Sequence, residues 1–153
     1  MCSTHRKIQD GIPPQPDWNL PMMSPLIAIV TLSALIFYMV TLGAVGISRG
    51  KHGVHAPAMT GHPVVERAIR VQANTLEGLI LFLPSLWAFA AYISEPGAAA
   101  LGAVWIFGRI IYMAGYMRDP AKRGPGFGIQ ALATIALLLG GLGGAIWTLM
   151  HAA

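Results

Sequence analysis

PVVERAIRVQANTLE, residues 63–77, opens a segment that otherwise reads as a membrane-spanning helix. It carries Glu66, Arg67, Arg70, Gln72, Asn74 and Glu77, and runs into LILFLPSLWAFAAYI at 79–93, which holds no charge. On a helix advancing about 100° per residue, Arg70 falls near 40° from Glu66, Asn74 near 80° and Glu77 near 20°. Four polar side chains therefore share one stripe. A charge inside a bilayer costs roughly 2.5–3.5 kcal/mol on insertion scales, so such a stripe turns toward protein or a wet cavity. Both signs of charge plus an amide suit a small zwitterionic ligand.

The remaining residues set that stripe in a membrane protein. Of 153 residues, 55% are hydrophobic and 10% charged, against about 25% charged in average soluble domains. Mean hydropathy is +0.60. The length accommodates one compact unit and no second domain. A net charge of +4 invites a nucleic-acid reading. The basic residues instead sit at the ends of apolar runs, as the positive-inside rule requires, and no nucleic-acid partner is expected. A single cysteine, Cys2, excludes an internal disulfide. It lies in residues 1–24, a polar arm with Pro13, Pro14, Pro16 and Pro21 that reads as irregular and not as a signal peptide. Trp18 is its candidate interface contact.

Residues 25–153 read as an all-α membrane domain, a bundle of four transmembrane helices. Ser24-Pro25 gives an N-cap and a proline at the first helical position. The uncharged run 25–47 matches the roughly 20 residues a crossing needs. A basic loop, 48–62, holds Arg49 and Lys51. The second helix, 63–93, has a length on the order of 46 Å, beyond a hydrocarbon thickness of about 30 Å. Its polar first turns therefore lie at or beyond one membrane face, with Glu77 near the boundary. Pro84 removes a hydrogen bond to the Ile80 carbonyl and predicts a kink. SEPG (94–97) reads as a turn, 98–117 as the third span, RDPAKRGPG (118–126) as a second basic loop and 127–150 as the last span. Gly140 and Gly144 form a small-xxx-small pair for close helix contact. The charge bias of the loops places the first and third in the cytoplasm and both termini outside.

The third helix has its own stripe, with Arg109, Tyr112 and Tyr116 within about 60°. The cytoplasmic end thus gathers Arg49, Arg70, Asn74, Glu77, Arg109, Tyr112, Tyr116 and Arg123. Arginines bind carboxylates bidentately, a carboxylate holds an amine, and tyrosine offers a hydroxyl on an apolar wall. Structural readings stand beside these. Glu66 and Arg70 are spaced for an i, i+4 ion pair. Arg67 suits a head-group anchor, Arg109 an inter-helix bridge, and Arg118 and Lys122 topology charges. Trp87, Trp105 and Trp147 read as packing or interface residues. His52 and His55 have i, i+3 spacing without a third ligand nearby, so no metal is expected.

ERAIRVQANTLE (66–77), RIIYMAGY (109–116) and a basic loop ending in Arg123 together resemble the MAPEG family, the membrane-associated proteins of eicosanoid and glutathione metabolism. The resemblance covers about residues 25–150. NTLE and the KRG after the third helix lean toward its microsomal glutathione S-transferases. It implies a homotrimer with glutathione as co-substrate in a cleft between subunits, open to the cytoplasm. Arg70, Asn74 and Glu77 match glutathione-holding positions, and Gln72 matches one reaching from the neighbouring subunit. Tyr112 and Tyr116 match the aromatic contacts, and Arg49 a first-loop arginine. Arg123 matches the arginine beside the glutathione sulfur. Arg109 shares the face of the two tyrosines and joins the expected binding set, while Arg123 and Tyr116 are the expected catalytic pair. Gly78 and Gly50 depart from the leukotriene-forming members, which carry a tyrosine and a second arginine there, and Pro84 lies one turn later than a proline in some members.

The implied activity is thiolate formation followed by attack. A free thiol has a pKa of about 8.5, and an adjacent guanidinium lowers it. An apolar electrophile or lipid hydroperoxide would enter from membrane lipid. Detoxification in a bacterial inner membrane, or otherwise in the endoplasmic reticulum, is the expected setting. A non-catalytic lipid-binding scaffold and a small four-span transporter are the competing readings. A transporter needs an ionisable residue deep in a span, which the first and last spans lack.

Overall fold

A computed structural model describes residues 24–151. The expectations for the arm, Cys2 and Trp18 lie outside those residues. Four long helices follow one another: α1 (Pro25–His52), α2 (Pro63–Tyr92), α3 (Glu95–Arg118) and α4 (Gly124–His151). A short 3₁₀ helix, Pro120–Arg123, joins the last two. Each long helix is apolar and long enough to cross a membrane, so the chain is an integral, multi-pass, all-α protein.

Local chemistry sets the helix ends. Ser24 Oγ accepts from the Leu26 amide at 3.2 Å, with Pro25 opening the helix. α1 does not stop at residue 47. It runs to His52 because the first left-handed position is Gly53, at φ 64°, where the backbone turns without a Cβ penalty. Ser94 caps α3 by accepting from the Gly97 amide at 3.2 Å. The expected SEPG turn is therefore the cap and first turn of a helix. α4 begins at Gly124 rather than 127, since Pro125 needs no amide partner in a first turn. Pro84 lies inside α2 without ending it. Ser85 Oγ donates to the Leu81 carbonyl at 2.7 Å nearby.

The core lies where the helices meet. Ile27, Val30 and Ala34 of α1 pack with Leu79, Phe82 and Leu86 of α2, Trp105 of α3 and Leu137 of α4. The Phe82 and Trp105 rings stack 4.1 Å apart. Trp105 is thus a packing residue. The pair expected at Gly140 and Gly144 does bring α4 against α2: an added Cβ would strike Phe89 at the first and Ile93 at the second. A second close approach joins α3 to α4. A side-chain carbon at Gly126 would overlap the Tyr112 backbone, and one at Gly108 would lie 2.9 Å from the Gln130 backbone nitrogen. Outward faces carry Ile29, Leu32, Ile36, Leu139, Leu142 and Ile146, all exposed, as lipid contact demands.

Arg67 is not left to head groups. Its Nη1 donates to the Met117 and Arg118 carbonyls, each at 3.0 Å, and so satisfies the C-terminus of α3. The Glu66 carboxylate accepts from the Gly61 amide at 3.2 Å.

Candidate functional site

The polar stripe of α2 meets that of α3 below the basic end of the bundle. Asn74 Nδ2 donates to the Tyr112 hydroxyl at 2.5 Å. Tyr112 is fixed from behind by the close approach of Gly126, and it is buried. The Arg109 guanidinium lies over its ring, 4.5 Å from the centroid, a cation–π contact.

Arg109 is 1% exposed. Its Nη1 donates to Gln130 Oε1 of α4 at 2.7 Å, and its Nη2 donates to Thr75 Oγ1 of α2. Thr75 Oγ1 in turn donates to the Val71 carbonyl at 2.6 Å. Both direct partners of this buried cation are neutral. Arg109 Nε has no partner and is the one such buried side-chain atom among the described residues. Arg109 is therefore an inter-helix bridge, and it also lines a cavity.

Two cavities flank this cluster. The first, of about 320 Å³, is lined by Asn74, Glu77, Gly78, Arg109, Tyr112 and Gln130, with Leu81, Phe127, Ala131 and Ile135 as an apolar wall. The second, of about 570 Å³, is lined by Glu66, Arg67, Arg70 and Tyr116. The stripe expected to act as one surface is thus divided. Asn74 and Glu77 serve one cavity, Glu66 and Arg70 the other. Tyr112 and Tyr116, 5.6 Å apart between centroids, each line a different cavity.

The other expected residues stand apart within one chain. Arg49, in the last turn of α1, points Nη1 at the Val54 carbonyl across 3.4 Å. Gln72 Nε2 donates to the Tyr38 hydroxyl at 2.8 Å. Arg123 ends the 3₁₀ helix and is exposed. Gln130 and Thr75 escaped the sequence reading. The available signal was weak: Gln130 is the one amide side chain in the apolar run 127–150.

The sequence profile of the MAPEG family matches residues 26–143. The chain belongs to the MAPEG family. Among its relatives, an uncharacterized Synechocystis protein, sll1147, is 46% identical over 122 residues, covering 80% of this chain and 89% of the relative. Human microsomal glutathione S-transferase 2 is 43% identical over 103 residues, 65% of this chain and 68% of its own. Guinea-pig (Cavia porcellus) leukotriene C4 synthase is 36% identical over 121 residues, 74% and 81% respectively. MAPEG membership and these relatives support a glutathione-related membrane transferase activity in general terms.

Proposed function

We propose that this MAPEG protein joins the glutathione thiolate to apolar electrophiles drawn from the membrane, and also reduces lipid hydroperoxides. One observation carries the reading. In the first cavity a polar rim of Asn74, Glu77, Arg109 and Tyr112 adjoins an apolar wall. A charged tripeptide and a lipid-soluble partner need that pairing of surfaces.

The dimensions agree. Arg70 and Glu77 are seven residues apart on α2, about 10 Å along the axis. An extended tripeptide spans about 10–11 Å. Glutathione would lie along α2 across both cavities, with its amine on Glu77 in the first and its carboxylates toward Arg70 in the second and Arg49. Asn74, Arg109 and Tyr112 would take its central polar groups, and Gln72 would reach it from a neighbouring subunit. Arg123 would stand beside the sulfur and favour the thiolate, each pKa unit corresponding to about 1.4 kcal/mol. Tyr116 would offer its hydroxyl at the same place. Gln72 in this arrangement needs a neighbouring subunit, and the homotrimer that the family resemblance implies supplies one, with the site on the cytoplasmic side by the charge bias of the loops.

The test is a glutathione-dependent assay on detergent-purified protein, with a halonitrobenzene and a lipid hydroperoxide side by side. Turnover of either supports the reading. No turnover of both, together with no glutathione binding by calorimetry, overturns it.

A further inference from the structure

We propose that Gln130 is a specificity-determining residue: its side-chain N–H groups receive an oxygen acceptor on the apolar substrate and select carbonyl-bearing electrophiles over oxygen-free halides. The proposal rests on the transferase reading above.

The orientation of this amide is decided by its neighbour. A guanidinium has donors only. The Gln130 atom 2.7 Å from Arg109 Nη1 must therefore be the oxygen. The nitrogen, with two donors, occupies the other branch of the group. Among the described residues it has no protein acceptor, and it is not a buried orphan, a condition found there for Arg109 Nε alone. It therefore keeps some exposed surface, and because Gln130 lines the first cavity, that cavity is where the proposal places it.

The rest of the α4 wall offers nothing equivalent. Phe127, Ala131 and Ile135 are apolar, and the Thr134 hydroxyl donates to the Gln130 backbone carbonyl at 2.9 Å. An electrophile lying along this wall finds its donor at Gln130. The fitting class is a long-chain α,β-unsaturated carbonyl. The thiolate sulfur bonds to the β-carbon, the C=C electron pair moves onto the carbonyl oxygen, and the α-carbon then takes a proton from water. The thiol's own proton has gone to solvent, so the sum is addition of S–H across C=C. A fixed donor at the oxygen acts where charge develops, the arrangement that contributes most to such steps.

Gln130→Glu and Gln130→Leu separate the roles. Glutamate keeps an acceptor for Arg109 but has no N–H; leucine has neither. The readout is the ratio of kcat/KM for trans-2-nonenal to that for benzyl chloride, with glutathione affinity measured by calorimetry. The ratio is expected to fall at least about tenfold in both variants. If Gln130→Leu does not fold, Gln130→Glu carries the test alone. An unchanged ratio, with equal losses or none, overturns the proposal, because Gln130 then only holds Arg109. A wild-type protein that neither binds glutathione nor turns over either compound removes the transferase reading and this inference together. Wild-type binding and turnover with an unchanged ratio in the variants removes this inference alone.

Discussion

The hydrogen bond from Asn74 to the Tyr112 hydroxyl ties the α2 stripe to the α3 stripe. Tyr112→Phe deletes the acceptor and leaves the amide to the cavity. In the proposed site the variant also removes a hydroxyl that takes a polar group of glutathione, and a bond of this kind contributes about 1 kcal/mol net, so glutathione affinity measured by calorimetry should fall about fivefold, while loss of the Asn74 bond itself lowers the melting temperature slightly. Glu77 lines the same cavity, and the proposed site gives it the ligand amine. Glu77→Gln removes the charge and keeps the shape, and should weaken glutathione about tenfold, the cost of about 1.4 kcal/mol. Unchanged affinity removes Glu77 from the site. In the proposed site Arg123→Ala withdraws a cation from the sulfur, so the bound thiol pKa should rise and the pH–rate curve move to higher pH. A wild-type curve removes Arg123 from the mechanism. In the sequence Glu77 and Asn74 stood out through the charged stripe at the head of an apolar run, Tyr112 through the face it shares with Arg109, and Arg123 through the family resemblance. Thr75 and Gln130 carried no such mark, because an uncharged polar side chain in a span is ordinary until a buried guanidinium is found beside it.

At the scale of the helix, hydropathy located the four spans but not their ends. The Ser24-Pro25 cap gave the start of the first helix, but Gly53 closes that helix and Ser94 opens the third through hydrogen bonds to the backbone, which lipid preference does not record. The division of the α2 stripe between two cavities was equally hidden, since it depends on where α3 lies. That position depends on Gly126, whose added Cβ would overlap Tyr112, whereas one at Gly128 meets nothing within 4 Å. Gly126→Ala should therefore lower the melting temperature in detergent and weaken glutathione, while Gly128→Ala should be neutral or slightly stabilising through helix propensity. Equal effects from the two would mean that α3 and α4 are not held by this contact.

For the molecule as a whole, one chain does not assemble the full set of residues. Arg70 and Tyr116 line one cavity, Asn74, Glu77, Arg109 and Tyr112 the other, while Gln72 is bonded to Tyr38 and lines neither. On α2, Gln72 and Asn74 are two positions apart, about 200° around the helix, so they address different surroundings. A ligand touching both must take one of them from another subunit. Co-expression tests this directly. Gln72→Leu and Glu77→Gln chains, each impaired alone, are produced together and purified as mixed oligomers through different tags. A site shared across subunits pairs an intact Glu77 from one chain with an intact Gln72 from its neighbour, so activity should recover well above that of either variant. A site contained within one chain finds a defect in every subunit, and activity should stay at the level of the single variants. The second result would return Gln72 to its bond with Tyr38 and remove the shared cleft. The mixed oligomer should also have three times the 16.2 kDa mass of the chain, measured by light scattering with the detergent contribution subtracted.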